Sequence, residues 1–185
     1  YDQYERGLRY RGGLDFDDLI LKTLALFQGD VSPMRTLENV TPWVMYKMDG
    51  GIDHILVDEA QDTNPEQWEI IRLLAQEFFT GDSAKEITRT LFVVGDEKQS
   101  IFGFQRAAPE KFGDMFDYFE EKIKASLQKF VSVDINTSFR SSQAVLDAVD
   151  ATFIQSHAQK GMGKRYAPHR AQREGQEGIV ELWPI

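Results

Sequence analysis

The sequence predicts an α/β fold built on a mostly parallel sheet with helices on both faces. Three observations carry that expectation. Two short strand-like runs, Ile52 to Val57 with its apolar end Ile55-Leu56-Val57 and the apolar Leu91 to Val94, are each followed by an acid or a glycine–acid pair. Each is followed by a segment with helical apolar spacing, and strand–helix alternation with apolar strands is the pattern of a buried parallel sheet. In such sheets, sites form at the carboxyl ends of strands, where Asp58 and Asp96 both fall.

Along the chain, residues 14–28 read as an amphipathic helix. Asp15 can cap it, Phe16, Leu19, Ile20, Leu24 and Phe27 recur at helical spacing, and Gly29 stops it. Ser32-Pro33 suggests a second helical start, interrupted at Thr41-Pro42, before Asp49-Gly50-Gly51 makes a turn. Asn64-Pro65-Glu66-Gln67 opens a helix with a cap, a proline at the first helical position and a glutamine placed to cap in return. Its buried stripe is Trp68, Ile71, Leu74, Ala75 and Phe78. Pro109 starts a helix with Phe112, Met115, Phe116, Phe119 and Ile123 on one face. Phe130 to Ile135 alternates as a third strand, and Ser141 or Ser142 caps a helix to about Gln155. The polar, basic stretch from His157 to Gln176 reads as a linker, and Gly178 to Trp183 as a further strand.

Bulk properties narrow the function. The 185 residues carry a net charge of −9, which argues against a general nucleic-acid footprint, since such affinity comes mainly from neutralising phosphates. The basic residues Lys160, Lys164, Arg165, Arg170 and Arg173 reverse the sign locally, as a solvated linker or a strand-binding surface. With no cysteine, neither a disulfide scaffold nor a thiolate metal site is possible, and a cytoplasmic location fits. No apolar run reaches the roughly 18 residues of a membrane span. The chain begins at Tyr1 rather than Met, as a piece of something longer would.

Three blocks carry chemistry. In Asp58-Glu59-Ala60-Gln61-Asp62-Thr63, two acids abut a buried strand, placing a hard-cation ligand beside a proton acceptor. Helix-dipole stabilisation of acids before Pro65 does not by itself require an adjacent pair at the strand end. On the functional reading, Asp58 holds Mg2+ and Glu59 takes a proton from the attacking water. In the second block, Gly95 to Phe104, the amide of Gln99 can donate to a phosphate oxygen and so report a γ-phosphate. Phe102 and Phe104, two apart, share a face of an extended segment and are read either as core or as platforms for unpaired bases. In the third, Thr137-Ser138-Phe139-Arg140-Ser141, the guanidinium of Arg140 can clamp phosphate oxygens, although taken alone a lone arginine there is better explained by a salt bridge.

Together the blocks resemble the motor core of superfamily 1 DNA helicases of the UvrD/Rep type, over roughly residues 14–155. Leu14-Asp15-Phe16-Asp17-Asp18-Leu19 is similar to a further signature of that family. The wording of the second block and the closing Gly-Ile-Val-Glu-Leu-Trp-Pro-Ile most resemble the AddA subunits of bacterial AddAB helicase-nucleases, relatives of RecB. The resemblance implies a P-loop, RecA-like fold and an ATP- and Mg2+-dependent motor on single-stranded and duplex-end DNA. It implies a nuclease elsewhere in the parent, together with a second, AddB-like subunit, acting in double-strand break repair. It casts Asp58, Glu59, Gln99 and Arg140 as nucleotide-site residues, Asp58, Gln99 and Arg140 binding the nucleotide, and Phe102 and Phe104 as DNA contacts. A UvrD/Rep-type repair helicase without nuclease and a non-catalytic binding module are the alternatives.

On this reading residues 1–50 are a helical segment, a candidate for part of an inserted subdomain. Residues 51–156 are the carboxyl-terminal part of the first motor domain, and residues 157–185 are a basic linker with the first strand of the second. Phe104 stands where many relatives have tryptophan, Gln105-Arg106 where Arg-Gly is usual, and Ser138 where many have asparagine. No G-x-x-x-x-G-K-[ST] loop occurs in the sequence, so this chain alone is expected to be inactive.

Overall fold

The computed structural model describes residues 2–29, 40–79, 88–155, 158, 167–173 and 175–183. The expected helical start at Ser32-Pro33, with Lys160, Lys164 and Arg165, lies outside them. Among the described residues the order is α1 (Asp2–Arg11), α2 (Phe16–Gln28), α3 (Val40–Gly51), β1 (His54–Val57), α4 (Pro65–Ala75), β2 (Thr90–Val93), α5 (Pro109–Ala125), β3 (Thr137–Ser138), α6 (Gln143–Phe153) and β4 (Arg170–Ala171). Helices and parallel strand pairs are mixed, as the alternation predicts.

Local chemistry sets the helix ends. Asp15 accepts from the Asp18 amide at 2.7 Å while the Asp18 carboxylate accepts from the Asp15 amide at 3.4 Å, a reciprocal cap. Gly29 closes α2 at φ 76°, a left-handed conformation that costs glycine little. Asn64 and Gln67 form the same reciprocal box on α4, at 2.8 and 3.0 Å. Thr41 and Pro42 lie at the start of the described part of α3, and the helix expected to run up to them from Ser32-Pro33 falls outside the described residues. Asp49-Gly50-Gly51, expected as a turn, continues α3 to its end. Thr41 then ties α3 to α2 by donating to the Leu26 carbonyl at 2.6 Å.

β1 and β2 pair in parallel, His54 with Thr90 through Val57 with Val93. Pleating sends Ile55, Val57, Leu91 and Val93 to one face, where they pack with Ala60, Trp68, Ala75 and Phe119 in the core. The opposite face carries Leu56 and Phe92, which are 74% and 58% exposed. Helices therefore cover one face of this pair, not both as expected, among the described residues. Trp68 is 2% exposed and stacks on Phe112 with ring centroids 6.3 Å apart. Phe119 meets Phe79 edge-on at 6.1 Å.

Beyond α5 two expectations give way. Phe130 packs edge-on against Phe116 at 5.2 Å, but residues 130–135 form no strand, and Val131, Val133 and Ile135 are exposed. Nor do residues 178–183 form one. The alternation of 130–135 is present, but in neither segment does a ladder partner lie alongside among the described residues. The basic stretch read as a linker instead contains β4, paired in parallel with β3 and held on α6. There Gln143 Oε1 accepts from the Ala171 amide at 2.9 Å, and Asp150 accepts from the His169 amide at 2.9 Å and bonds the His169 ring.

α4 and α5 are joined by Arg72, which grips the Glu69 carboxylate with Nε at 2.7 Å and Nη2 at 2.6 Å and lies over the Tyr118 ring. The hydrogen bonds from Arg72 hold the Glu69 carboxyl below its usual value, and Glu69 in turn raises Arg72. A folded-state pKa below the unfolded one adds stability at neutral pH that is lost as the pH falls through the folded-state pKa. Glu69→Gln is therefore expected to cost about 0.3–1 kcal/mol at pH 7, the range of part-exposed pairs, and almost nothing well below the ordinary 4.5. Urea unfolding at both pH values checks this.

Candidate nucleotide-hydrolysis site

The two strand ends carry the site. Past Val57 the ladder continues: the Val94 amide donates to the Val57 carbonyl at 2.9 Å, and the Ala60 amide to the Val94 carbonyl at 3.1 Å. This pins the acid block against the end of β2. Asp58 and Glu59 are exposed, and Asp58 Oδ1 accepts from the Glu59 amide at 2.9 Å. Glu59 sits at φ 51°, ψ 44°, a left-handed conformation that costs a non-glycine residue about 1–2 kcal/mol. Such strain clusters at functional sites. The turn Ala60–Asp62 follows and leads into α4.

The second block folds into two short 3-10 turns, Glu97–Gln99 and Gly103–Gln105. Asp96 caps the first by accepting from the Lys98 amide at 3.1 Å, and its other oxygen accepts from Gln99 Nε2 at 3.0 Å. Gln99 is thus exposed but tethered. Gly95 is needed for space rather than for an unusual dihedral: an added Cβ would lie 2.7 Å from Gln61 Oε1 and 3.0 Å from the Ala60 amide nitrogen. Phe102 and Phe104 do not share a face of an extended segment, because the chain turns between them. Their rings tilt against each other at 5.8 Å, Phe102 half-buried and Phe104 79% exposed. Arg106, at φ 68°, follows and pairs with Glu66 at the start of α4. The Ala108 amide donates to the Thr63 carbonyl at 3.4 Å, a second tie between the aromatic turn and the acid block.

Arg140 lies exposed on the connection from β3 to α6, where the Ser141 amide donates to Ser138 Oγ at 3.3 Å. Among the described residues no hydrogen bond or ion pair joins it to Asp58, Glu59 or Gln99. The structure thus joins the first two blocks by hydrogen bonds and shows none from the third to them among the described residues.

One residue that carries this junction was not singled out in the sequence. Gln61, 1% exposed, donates from Nε2 to Glu59 Oε2 at 2.6 Å and accepts at Oε1 from the Asp96 amide at 2.9 Å. The signal that could have found it is a polar residue inside a block that follows a buried strand.

Among the described residues no group of three or more histidine, cysteine, aspartate or glutamate side chains could hold a metal ion. Mg2+ of the kind that arrives with a nucleotide needs no such group, since it uses one or two carboxylates and fills its shell with phosphate oxygens and water. An exposed Asp58 carboxylate at a strand end suits that role. No described helix is long and apolar enough to cross a membrane.

The parallel strand pair with an acid block at its end is matched by the UvrD/REP helicase N-terminal domain over residues 1–120, and the chain belongs to that family. Its relatives include the ATP-dependent DNA helicase PcrA of Leuconostoc citreum, 29% identical over 96% of this chain and 21% of the relative. AddA, the ATP-dependent helicase/nuclease subunit of Desulfitobacterium hafniense, is 31% identical over 83% of this chain and 10% of the relative. The AddA protein of Listeria monocytogenes is 32% identical over 78% and 10%. The chain thus spans about a fifth or a tenth of the length of these relatives.

Proposed function

We propose that this chain is part of an ATP-hydrolysing DNA motor. The observation that carries the reading is the junction at the ends of two neighbouring parallel strands, where Glu59, Gln61, Asp96 and Gln99 form one hydrogen-bonded series. Asp58 holds Mg2+, whose charge offsets that developing on the phosphates. Glu59 takes the proton of the attacking water. Gln99 senses the γ-phosphate, and Arg140 reaches it from the β3–α6 connection. Phe104, with Phe102 behind it, offers a ring to unpaired bases, which suits contact without sequence preference.

Residues 51–156, Arg140 among them, are read as the carboxyl-terminal part of the first motor domain, and residues 157–185 as a basic linker with the first strand of the second. The AddA helicase/nuclease relatives, at 31–32% identity, support a parent with a nuclease and a second, AddB-like subunit. The PcrA relative, matching 96% of the chain, supports the alternative of a helicase without nuclease. Nuclease activity of the full-length protein separates them.

Full-length protein is expected to release phosphate from ATP with Mg2+, with stimulation by single-stranded DNA exceeding that by RNA. The purified 185-residue chain, whose sequence holds no phosphate loop, is expected to release none steadily. Steady release by this chain, abolished by Glu59→Gln, would overturn the account.

A further inference from the structure

Gln61 is built into the junction in a way that fixes its chemistry. The Asp96 backbone amide can only donate, so the oxygen of the Gln61 side chain must face it and the NH2 group must face the Glu59 carboxylate. No other neutral side chain of this length donates and accepts at once along a planar head. The cradle around it is equally specific. Ala60 is fully buried beneath, and the missing side chain of Gly95 leaves the space that the Gln61 oxygen approaches.

The consequence falls on Glu59. An exposed glutamate at a strained turn has several side-chain rotamers of similar energy. A buried amide that donates to Oε2 at 2.6 Å selects one of them and leaves Oε1 without a hydrogen bond among the described residues. That oxygen is the one a water's proton would reach. The same amide is held by Asp96, whose carboxylate holds Gln99. The loop bearing Gln99 thus has a hydrogen-bonded route to the carboxylate of Glu59 through one side chain.

We propose that Gln61 is a positioning residue that sets the orientation of Glu59 and couples it to the loop of Gln99. The inference rests on the role assigned above to Glu59. The test uses full-length protein with ATP, Mg2+ and single-stranded DNA, and three variants. Gln61→Glu keeps the length and the acceptor for the Asp96 amide but sets a carboxylate against Glu59. Gln61→Met removes both bonds at similar volume. The double variant Glu59→Gln with Gln61→Glu reverses the amide–carboxylate pair.

The expected result is a loss of kcat by about tenfold or more in Gln61→Glu and Gln61→Met, the scale of lost support to a reacting group, with KM for ATP within about twofold of wild type. The double variant is expected to recover the wild-type melting temperature while hydrolysing no faster than Glu59→Gln alone. Wild-type kcat in Gln61→Glu, alongside loss in Glu59→Gln, overturns this proposal and leaves the assignment of Glu59 standing. A fall in kcat matched by an equal rise in KM also overturns it, since that is what a general loosening of the site would give. Undiminished hydrolysis by Glu59→Gln overturns the assignment of Glu59 and this proposal together.

Discussion

Glu59→Gln in the full-length protein is expected to lower kcat for ATP hydrolysis by about 10²–10⁴-fold, roughly 3–5 kcal/mol of barrier, while leaving KM for ATP within a few-fold. The glutamine fills the same volume and lacks only the basic oxygen. Its position argues against a structural effect: Glu59 is exposed, and it contributes no side-chain cap to the turn that follows. The hydrogen bond from Gln61 Nε2 can be re-formed with the new amide oxygen. Asp58→Asn differs in kind, because removing a metal ligand should appear as a raised Mg2+ requirement before it appears at saturating metal. Steady-state ATPase at varied ATP and Mg2+ separates the two.

Trp68→Ala carries the largest expected cost in stability, about 3–5 kcal/mol. Trp68 is 2% exposed and lies parallel to Phe112 at 6.3 Å, so truncation opens a cavity between α4 and α5 directly behind the acid block. It shares its core with Val57 and Ala60, the residues flanking Asp58 and Glu59. A loss of this size is a large part of a domain's typical stability of about 5–15 kcal/mol. Urea unfolding of wild type and variant measures it. Trp68→Phe, which keeps most of the ring, is expected to lose less than half as much.

The elements with local causes were legible in the sequence. Asn64, Pro65 and Gln67 announce the start of α4, and Asp15 with Gly29 brackets α2, because caps are built from residues a few positions apart. Where pairing decides, the sequence misleads. Residues 130–135 alternate as a strand should, yet alternation says which side chains share a face and not whether a neighbouring strand exists. The two residues of β4 have no period at all and are strand only because α6 and β3 hold them.

For the site, the residue types and their order pointed to Asp58, Glu59 and Gln99, and the geometry places the last two on one hydrogen-bonded series. The strained backbone of Glu59 could not be read from the chain, because glutamate has no preference for a left-handed turn. Gln61 could be noticed as a polar residue in a block after a buried strand, but its role could not be read. Its role depends on Asp96, 35 residues away, reaching the same point through a parallel pairing of β1 with β2.

The central claim is that the acid block and the glutamine block form one catalytic unit. A double-mutant cycle on kcat, combining Glu59→Asp with Gln99→Ala in the full-length protein under saturating ATP, Mg2+ and single-stranded DNA, tests it directly. Residues of one unit give a combined loss well short of the product of the single losses. Losses that multiply in full would mean that the two blocks act independently and would contradict the account.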